Sequence, residues 1–473
     1  MKIVAGSSMK LHQGKALLQY LASFSATLAI ITSGMHYGWP SPSIPKLAIE
    51  EQITGDEGSW MAVMPLLGAV LGSMMVGATV DLLGRKRTIL VSSLPYFATW
   101  IMIACSRSVA VLYAARFLAG VADGWVFTSV PMYICEIAEP RIRGFLGTLV
   151  PTAFIAGILA INVVGSYLSI TMAALISSTI PILTLLTFCW MPESPYYLLM
   201  RSNPIEAKRS LQVFRGVQDV ESEISRLTTA LKSQMSNTGR FIDLFMVKSN
   251  RKSVLIMMLL RAAQQFSGTT AITFYTQSIF MESGSDISKE TASVTYFAVQ
   301  MIMAVICSFL VDRCGRRPLL IVSIIGSAIS LFAEGTYFYI DQNTDIDTSS
   351  FTYLPVVGLI VFVVMFTLGM QTIPLLMLGE LFATNVKAFG MCFADIYFSF
   401  IATLVSKYFQ ITRDTFGIYV PFYSFSVSCI IGLVLICIFV PETNGKTLEE
   451  IQMHFTGENK DGVVEVKSND EQI

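Results

Sequence analysis

Two stretches of this chain place the same ionisable groups at the same spacing: GATVDLLGRKR at residues 77–87 and SFLVDRCGRRP at residues 308–318. Each leaves an apolar run, crosses an aspartate (Asp81 or Asp312), reaches a glycine and ends in a basic cluster. Pro-Glu pairs recur as well, in MPESPYYLL at 191–199 and in VPETNGKTLEEI at 440–451. Guanidinium groups and carboxylates arranged like this form ion pairs, because Arg offers a carboxylate a rigid fork of donors. Such pairs can close when neighbouring ends of the chain meet and open when they part. Three more acids, Asp123, Glu334 and Asp395, stand inside apolar surroundings, where an ionisable group is a functional candidate by default. This is the chemistry of reversible polar contacts, not of an enzyme.

The elements that must position these groups are written in the composition. Apolar residues make up 53% of the 473 and charged residues 14%, against roughly 25% charged in an ordinary soluble domain. Apolar runs recur at about 18–38, 59–80, 88–107, 111–133, 147–168, 172–191, 254–278, 291–312, 318–340, 353–377, 388–411 and 417–440. Each approaches the roughly 20 residues that a helix needs to cross a bilayer. They are too long and too uniformly apolar for barrel strands, so the expectation is an all-α polytopic membrane protein with twelve transmembrane helices. The first run lacks a small-residue cleavage site and reads as span one rather than a removed signal.

Basic residues decide the orientation. Lys86, Arg87, Arg141, Arg143, Arg313, Arg316, Arg317 and Lys387 fall in connections on the side of the N-terminus, and the central segment 201–252 holds ten Lys/Arg. The opposite connections hold Lys46, Arg107, Lys289 and Arg413, with Lys407 near the end of its span. Basic residues accumulate on the cytoplasmic side, which puts both termini and the central segment there. Net charge is −1, which gives no reason to propose nucleic acid. The eight cysteines form no CxxC pair, and no disulfide, metal or cofactor signal is present.

The repeated hinge and the repeated Pro-Glu pair mark a duplicated six-helix unit, the pattern of a transporter that alternates access about a central site. The expected organisation is a six-helix bundle over 1–191, a cytoplasmic linker over 192–253, a second bundle over 254–440 and a tail over 441–473, disordered from about 455. Within the linker, 204–216 and 220–233 read as short amphipathic helices, since Leu211, Phe214, Ile224, Leu227 and Leu231 recur every three or four positions.

Taken together, GATVDLLGRKR, RFLAGVADG (116–124), PMYICEIAEPRIRG (131–144), PESPYYLL (192–199), QQFSGTTAITFY (264–275), VDRCGRRP (311–318) and PETNGKTLEEI (441–451) resemble the sugar porter family of the major facilitator superfamily. EIAEPRIRG and PESPYYLL are most similar to its insect branch of facilitated trehalose transporters. The resemblance covers roughly residues 18–451. It implies two pseudo-symmetric six-helix bundles and an inner gate of Arg85, Glu136, Arg143 and Glu193 in the first half. In the second half the gate would comprise Arg316, Glu380, Lys387 and Glu442. It implies a substrate site of Gln264, Gln265, Thr270, Gln300 and Phe366, with Tyr275 closing the outer entrance. Sugar hydroxyls need amide and hydroxyl partners, and an amide inside a membrane is costly without a use. Pro374 is expected to bend span ten as a hinge.

The pocket departs from the family's pattern. Pro151 replaces a span-five glutamine and brings a helix distortion. Thr270 stands for an asparagine, Leu375 for a tryptophan, and Phe398-Ser399 for an Asn-Trp pair. Proton-coupled members carry an aspartate on span one, where this chain has Pro40. His36 is close by and reads as a packed or water-exposed residue. The reading is therefore facilitative (uniport) transport of trehalose or a monosaccharide such as glucose across the cell membrane. The implied partners are a small solute and the lipid bilayer, with no obligatory protein partner. The alternatives are a carrier of another small polar or charged solute, proton-coupled through Asp123 or Asp395, and a non-transporting sugar sensor; an endosomal location is the alternative to the cell surface. A cationic solute would gain support if Asp395 faced the cavity beside Gln264 and Gln300.

Overall fold

The computed structural model describes residues 5–50, 53–236, 240–348, 351–382 and 386–443. The tail from 444 onwards, with the expected disorder from about 455, lies outside the described residues. Among the described residues the regular elements are helices without a strand, and 11 of the helical stretches are long and apolar enough to cross a membrane. The chain is a multi-pass membrane protein.

The seventh expected crossing, 254–278, is not one helix. It is two, Lys248–Phe266 and Thr269–Glu282, separated at Ser267–Gly268. Gly268 sits at φ +81°, and a Cβ there would lie 2.2 Å from the ring of Phe425, so no other residue fits the break. Ser267 Oγ donates to the carbonyl of Gln264 at 2.7 Å and satisfies a group that the break frees. Hydropathy sees only the apolar run and is blind to the turn within it.

Span ten is interrupted in the same way, as Leu354–Leu368 and Ile373–Leu381. Pro374 therefore does not bend a continuous helix. It lies in the first turn of the second piece, where a missing N–H costs no hydrogen bond. Span one also continues beyond its expected end: after Trp39 the helix Pro40–Ile49 carries on through GWPSPSIP. By contrast, the helix Pro140–Tyr167 runs unbroken through Pro151.

Within the first half, glycines let backbones touch. On span two (Gly55–Leu83) and span four (Val109–Ile137), a Cβ at Gly68 would lie 2.1 Å from Phe117 O and one at Gly120 2.0 Å from Pro65 O. Small residues of this kind drive helix association where lipid supplies no hydrophobic force. Spans one and five meet the same way through Gly34 and Gly157.

The linker forms the expected helices, Pro204–Arg215 and Glu221–Ser236. Asn203 accepts from Glu206 N at 3.3 Å to cap the first, and Gly216 ends it at φ +62°. Leu211 and Phe214 are fully buried. Arg215 Nη1 donates to Ile137 O at 2.8 Å and Nη2 to Glu223 Oε1 at 2.8 Å, fastening the linker beneath span four.

Candidate functional site

At the hinge side of the molecule the two halves carry one arrangement twice. Gly84, at φ +91°, starts span three (Arg85–Cys105), and Gly315, at φ +85°, starts span nine (Arg316–Asn343). A helix start leaves backbone N–H groups without partners. In the first half Glu193 takes one of them, accepting from Lys86 N at 3.0 Å. In the second, Glu442 accepts from Arg316 N at 3.1 Å and Arg317 N at 3.0 Å. The Pro-Glu carboxylates thus cap the hinge helices.

The hinge arginines complete each cluster. Arg85 pairs with Glu136 at 2.9 Å and Arg316 with Glu380 at 3.1 Å. A hydroxyl beside each Pro-Glu pair donates to the same acid: Ser194 to Glu136, and Thr443 Oγ1 to Glu380 Oε2 at 2.6 Å. Each of these named contacts lies within one half. Arg143 donates to Ala138 O at 3.2 Å, also within its half. Lys387 begins span eleven (Lys387–Phe416). Burial raises the carboxyl pKa of Glu193, and the N–H donors of Lys86 and Ser194 oppose that rise.

A cavity of about 220 Å3 lies between the halves. Its first-half wall includes Tyr37, Asp123, Pro151 and Phe154; its second-half wall includes Arg261, Gln264, Gln265, Gln300, Phe366 and Asp395. Thr270 donates to Gln265 Oε1 at 2.6 Å, so the 2.8 Å contact with Tyr37 must have the tyrosine as donor. That chain crosses the seam. Gln265 Nε2 and Gln300 Oε1 are buried with no protein partner.

On the side opposite the hinges the seam is closed. Lys407 of span eleven reaches Asp56 at 2.8 Å, Gln277 donates to Ser166 Oγ at 2.6 Å, and Ser293 to Asn162 Oδ1 at 3.1 Å. Tyr275 does not line the cavity. It is buried at a kink in Thr269–Glu282, where φ is −110°, and stacks on Phe409 at 5.3 Å.

A family profile described as "Sugar (and other) transporter" matches residues 41–455. The chain belongs to that family. It is 34% identical over 440 residues to the facilitated trehalose transporter Tret1 of Bombyx mori, covering 93% of this chain and 87% of that one. It is also 34% identical to the facilitated trehalose transporter of Anopheles gambiae, of whose length it spans 56%. Among solved structures, the inward-open xylose transporter XylE from E. coli superposes with a TM-score of 0.76 at 20% identity, covering 92% of this chain and 99% of that one. The XylE proton:xylose symporter bound to 6-bromo-6-deoxy-D-glucose gives a TM-score of 0.73 at 20% identity, with the same coverage. The fold is the major facilitator fold, two pseudo-symmetric six-helix bundles.

Within this family member the three intramembrane acids part company. Asp123 lines the cavity and accepts from Tyr96 OH at 2.6 Å. Asp395 lines it too, beside Gln264 and Gln300, but stands 3.6 Å from the guanidinium of Arg261. That positive neighbour removes the argument for a cationic solute. Glu334 is buried away from the cavity, where a Cβ at Gly358 would lie 2.3 Å from its Oε2. His36 is fully buried, stacked on Trp100 at 4.0 Å and 3.2 Å from Thr99 Oγ1.

Arg261 and Gln371 are among the cavity residues that escaped the sequence reading. Arg261 interrupts the apolar run LLRAAQQ, and an arginine at that depth is itself a signal. Gln371 sits in the QTIPL segment and accepts from Gln300 Nε2 at 3.0 Å and Thr367 Oγ1 at 3.1 Å. Gln371 lies in the expected span 353–377, where an amide is likewise a signal, but its role shows only once span ten is interrupted there.

Proposed function

We propose that the chain is a facilitative sugar carrier of the cell membrane, working by alternating access, with trehalose or a monosaccharide such as glucose as solute. The observation that carries this is a set of unpartnered polar groups on residues of the cavity wall, two of them amide atoms. Gln265 Nε2 is a donor and Gln300 Oε1 an acceptor, while Tyr37, Phe154 and Phe366 offer aromatic faces. A buried polar atom without a partner is costly, and a sugar supplies hydroxyls for both kinds of group and C–H faces for the rings. The names of the insect relatives support trehalose in particular.

The Lys/Arg distribution supports an orientation with both termini and the hinge clusters cytoplasmic. In that orientation the closed seam of Lys407–Asp56 and Gln277–Ser166 is the outer one. Arg85, Glu136, Arg143 and Glu193, with Arg316, Glu380, Lys387 and Glu442, then form the inner rim and act as the inner gate. Within each bundle the named pairs keep the rim rigid as the two halves rock. Tyr275 and Phe409 form an outer cover over the cavity.

A second reading, proton coupling, draws on Asp123, an acid on the cavity wall whose named hydrogen bond comes from Tyr96 OH. Uptake of labelled trehalose and glucose into oocytes expressing the chain, with unlabelled competitors at two external pH values, tests both. Saturable uptake that ignores pH is expected. Uptake that rises on acidification, and loses that rise in Asp123→Asn, would replace the uniporter by a symporter. Surface-expressed protein that moves neither sugar would end the sugar reading.

A further inference from the structure

An interruption in a membrane helix leaves backbone carbonyls that need donors, because lipid provides none. In span ten the carbonyls of Met370 and Gln371 both take theirs from one side chain, Gln264 Nε2, at 3.0 and 3.1 Å. An amide NH2 has two hydrogens, so the donor capacity of Gln264 is used up on span ten. Its Oε1 accepts from Arg261 Nη1 at 3.1 Å. Arg261 is buried, stacks over Phe398 of span eleven at 4.9 Å and lies 3.6 Å from Asp395.

We propose that Arg261 and Gln264 are positioning residues that hold the interruption of span ten, while the neighbouring Gln265 meets the solute. The adjacent glutamines then have separate jobs, and their hydrogen bonds are the reason. Gln264 has no free donor, whereas Gln265 Nε2 has no protein partner. Arg261 decides which way round the Gln264 amide stands. A guanidinium only donates, so it holds the amide oxygen and turns the nitrogen towards the carbonyls. With Arg261 gone, a flipped amide would set oxygen against oxygen. Phe398 and Asp395 fix the guanidinium in turn and bring span eleven into the same assembly. Gln300, on the cavity wall, links the solute to it, with Oε1 free of a protein partner and Nε2 bound to Gln371 within the interruption. A solute bound at Gln300 is thereby connected to the segment where the regular helical bonding of span ten is interrupted.

This inference rests on the carrier reading, so its test pairs uptake with a measurement that needs no transport. Hydrogen–deuterium exchange on the full chain in nanodiscs reads residues 366–373, whose amides at Gly369, Gln371 and Ile373 bond to Phe366 O and Gly369 O. Three variants are compared: Gln264→Leu, Gln264→Glu, and the double variant Arg261→Met with Asp395→Asn, which leaves no unpaired charge. Gln264→Glu keeps an acceptor for Arg261 but has no donors for the carbonyls. Each variant is expected to speed exchange in 366–373 by about tenfold, the scale of one or two lost hydrogen bonds. Each is also expected to lower the maximal uptake rate with KM kept within about twofold. Gln265→Leu is expected to raise KM and leave exchange unchanged. The inference is overturned if exchange in Gln264→Glu and in the double variant matches wild type, or if Gln264→Leu raises KM alone. If wild type moves neither sugar, the carrier reading falls while the exchange comparison still decides the role of Arg261 and Gln264.

Discussion

The hinge clusters and the cavity walls are two products of one duplication, and they have diverged very differently. At the hinges each half repeats a left-handed glycine, an arginine bound to a membrane glutamate, a Pro-Glu carboxylate capping the next helix and a hydroxyl on the glutamate. In the cavity each half has an aspartate and phenylalanines, but the hydrogen-bonded groups around them differ. The first half contributes Asp123 with Tyr96; the second contributes Arg261, two glutamines and the interruption of span ten. The lesson is physical. A hinge must satisfy backbone N–H groups, which every sequence has, so both halves retain one solution. A cavity must fit a solute rather than satisfy backbone groups that every sequence has, so its walls are free to differ.

The strongest way to break this comparison is to remove the hinge arginines. Arg85→Met leaves Glu136 buried and unpaired, and breaking such a pair costs about 3–5 kcal/mol. The side chains of Arg85 and Glu136 are 2% and 13% exposed, against 10% and 27% for Arg316 and Glu380. Arg316→Met should therefore cost less, and thermal unfolding of the two detergent-solubilised variants gives the order. Equal losses would mean that water screens neither pair.

The hinge glycines come next. Alanine at Gly84 or Gly315 must adopt a backbone reserved for glycine, a strain of roughly 1–3 kcal/mol. A Cβ at Gly84 would also lie 2.5 Å from Glu193 Oε2 and 2.7 Å from Tyr197, whereas one at Gly315 would lie 3.0 Å from Glu442 Oε2. Gly84→Ala is expected to lower the melting temperature further than Gly315→Ala.

In the cavity the expected effects are smaller and fall on transport rather than folding. Gln300→Leu removes the acceptor that faces the solute and the bond to Gln371, and should reduce kcat/KM by about tenfold. Thermal stability should stay close to wild type. An unaltered kcat/KM would put the solute elsewhere.

The smallest effect concerns pH. Burial raises the folded-state pKa of Glu193 above its unfolded value. Over the window between those two values the folded protein binds more protons than the unfolded chain, so stability rises as pH falls through it. Glu193→Gln should flatten that slope. Melting curves between neutral and mildly acidic pH test it, and a variant with the wild-type slope would mean that the N–H groups of Lys86 and Ser194 cancel the burial.

The fold was legible in the sequence because its signals are local. Twenty apolar residues need no neighbours to read as a crossing, and the repeated Asp-Gly-Arg hinge declares the duplication by itself. Gln264, Gln265 and Gln300 could be named in advance from the family resemblance, and Asp395 because an acid stands out in an apolar run. The interruption of span seven was illegible because an apolar run does not reveal a turn within it, and in span ten Pro374 marked a bend but not a break whose freed carbonyls a distant side chain satisfies.

The sequence by itself thus determined the class of protein, the number of crossings, the two-fold plan and which polar residues were unusual. Periodicity and composition carry that information along the chain. Only the tertiary structure decided how those residues divide their work. It paired Asp395 with Arg261, set Gln264 on the carbonyls of Met370 and Gln371, buried Glu334 away from the cavity, and left Gln265 and Gln300 facing it. Each of those outcomes depends on which donor meets which acceptor across separate helices, and linear order does not encode that geometry.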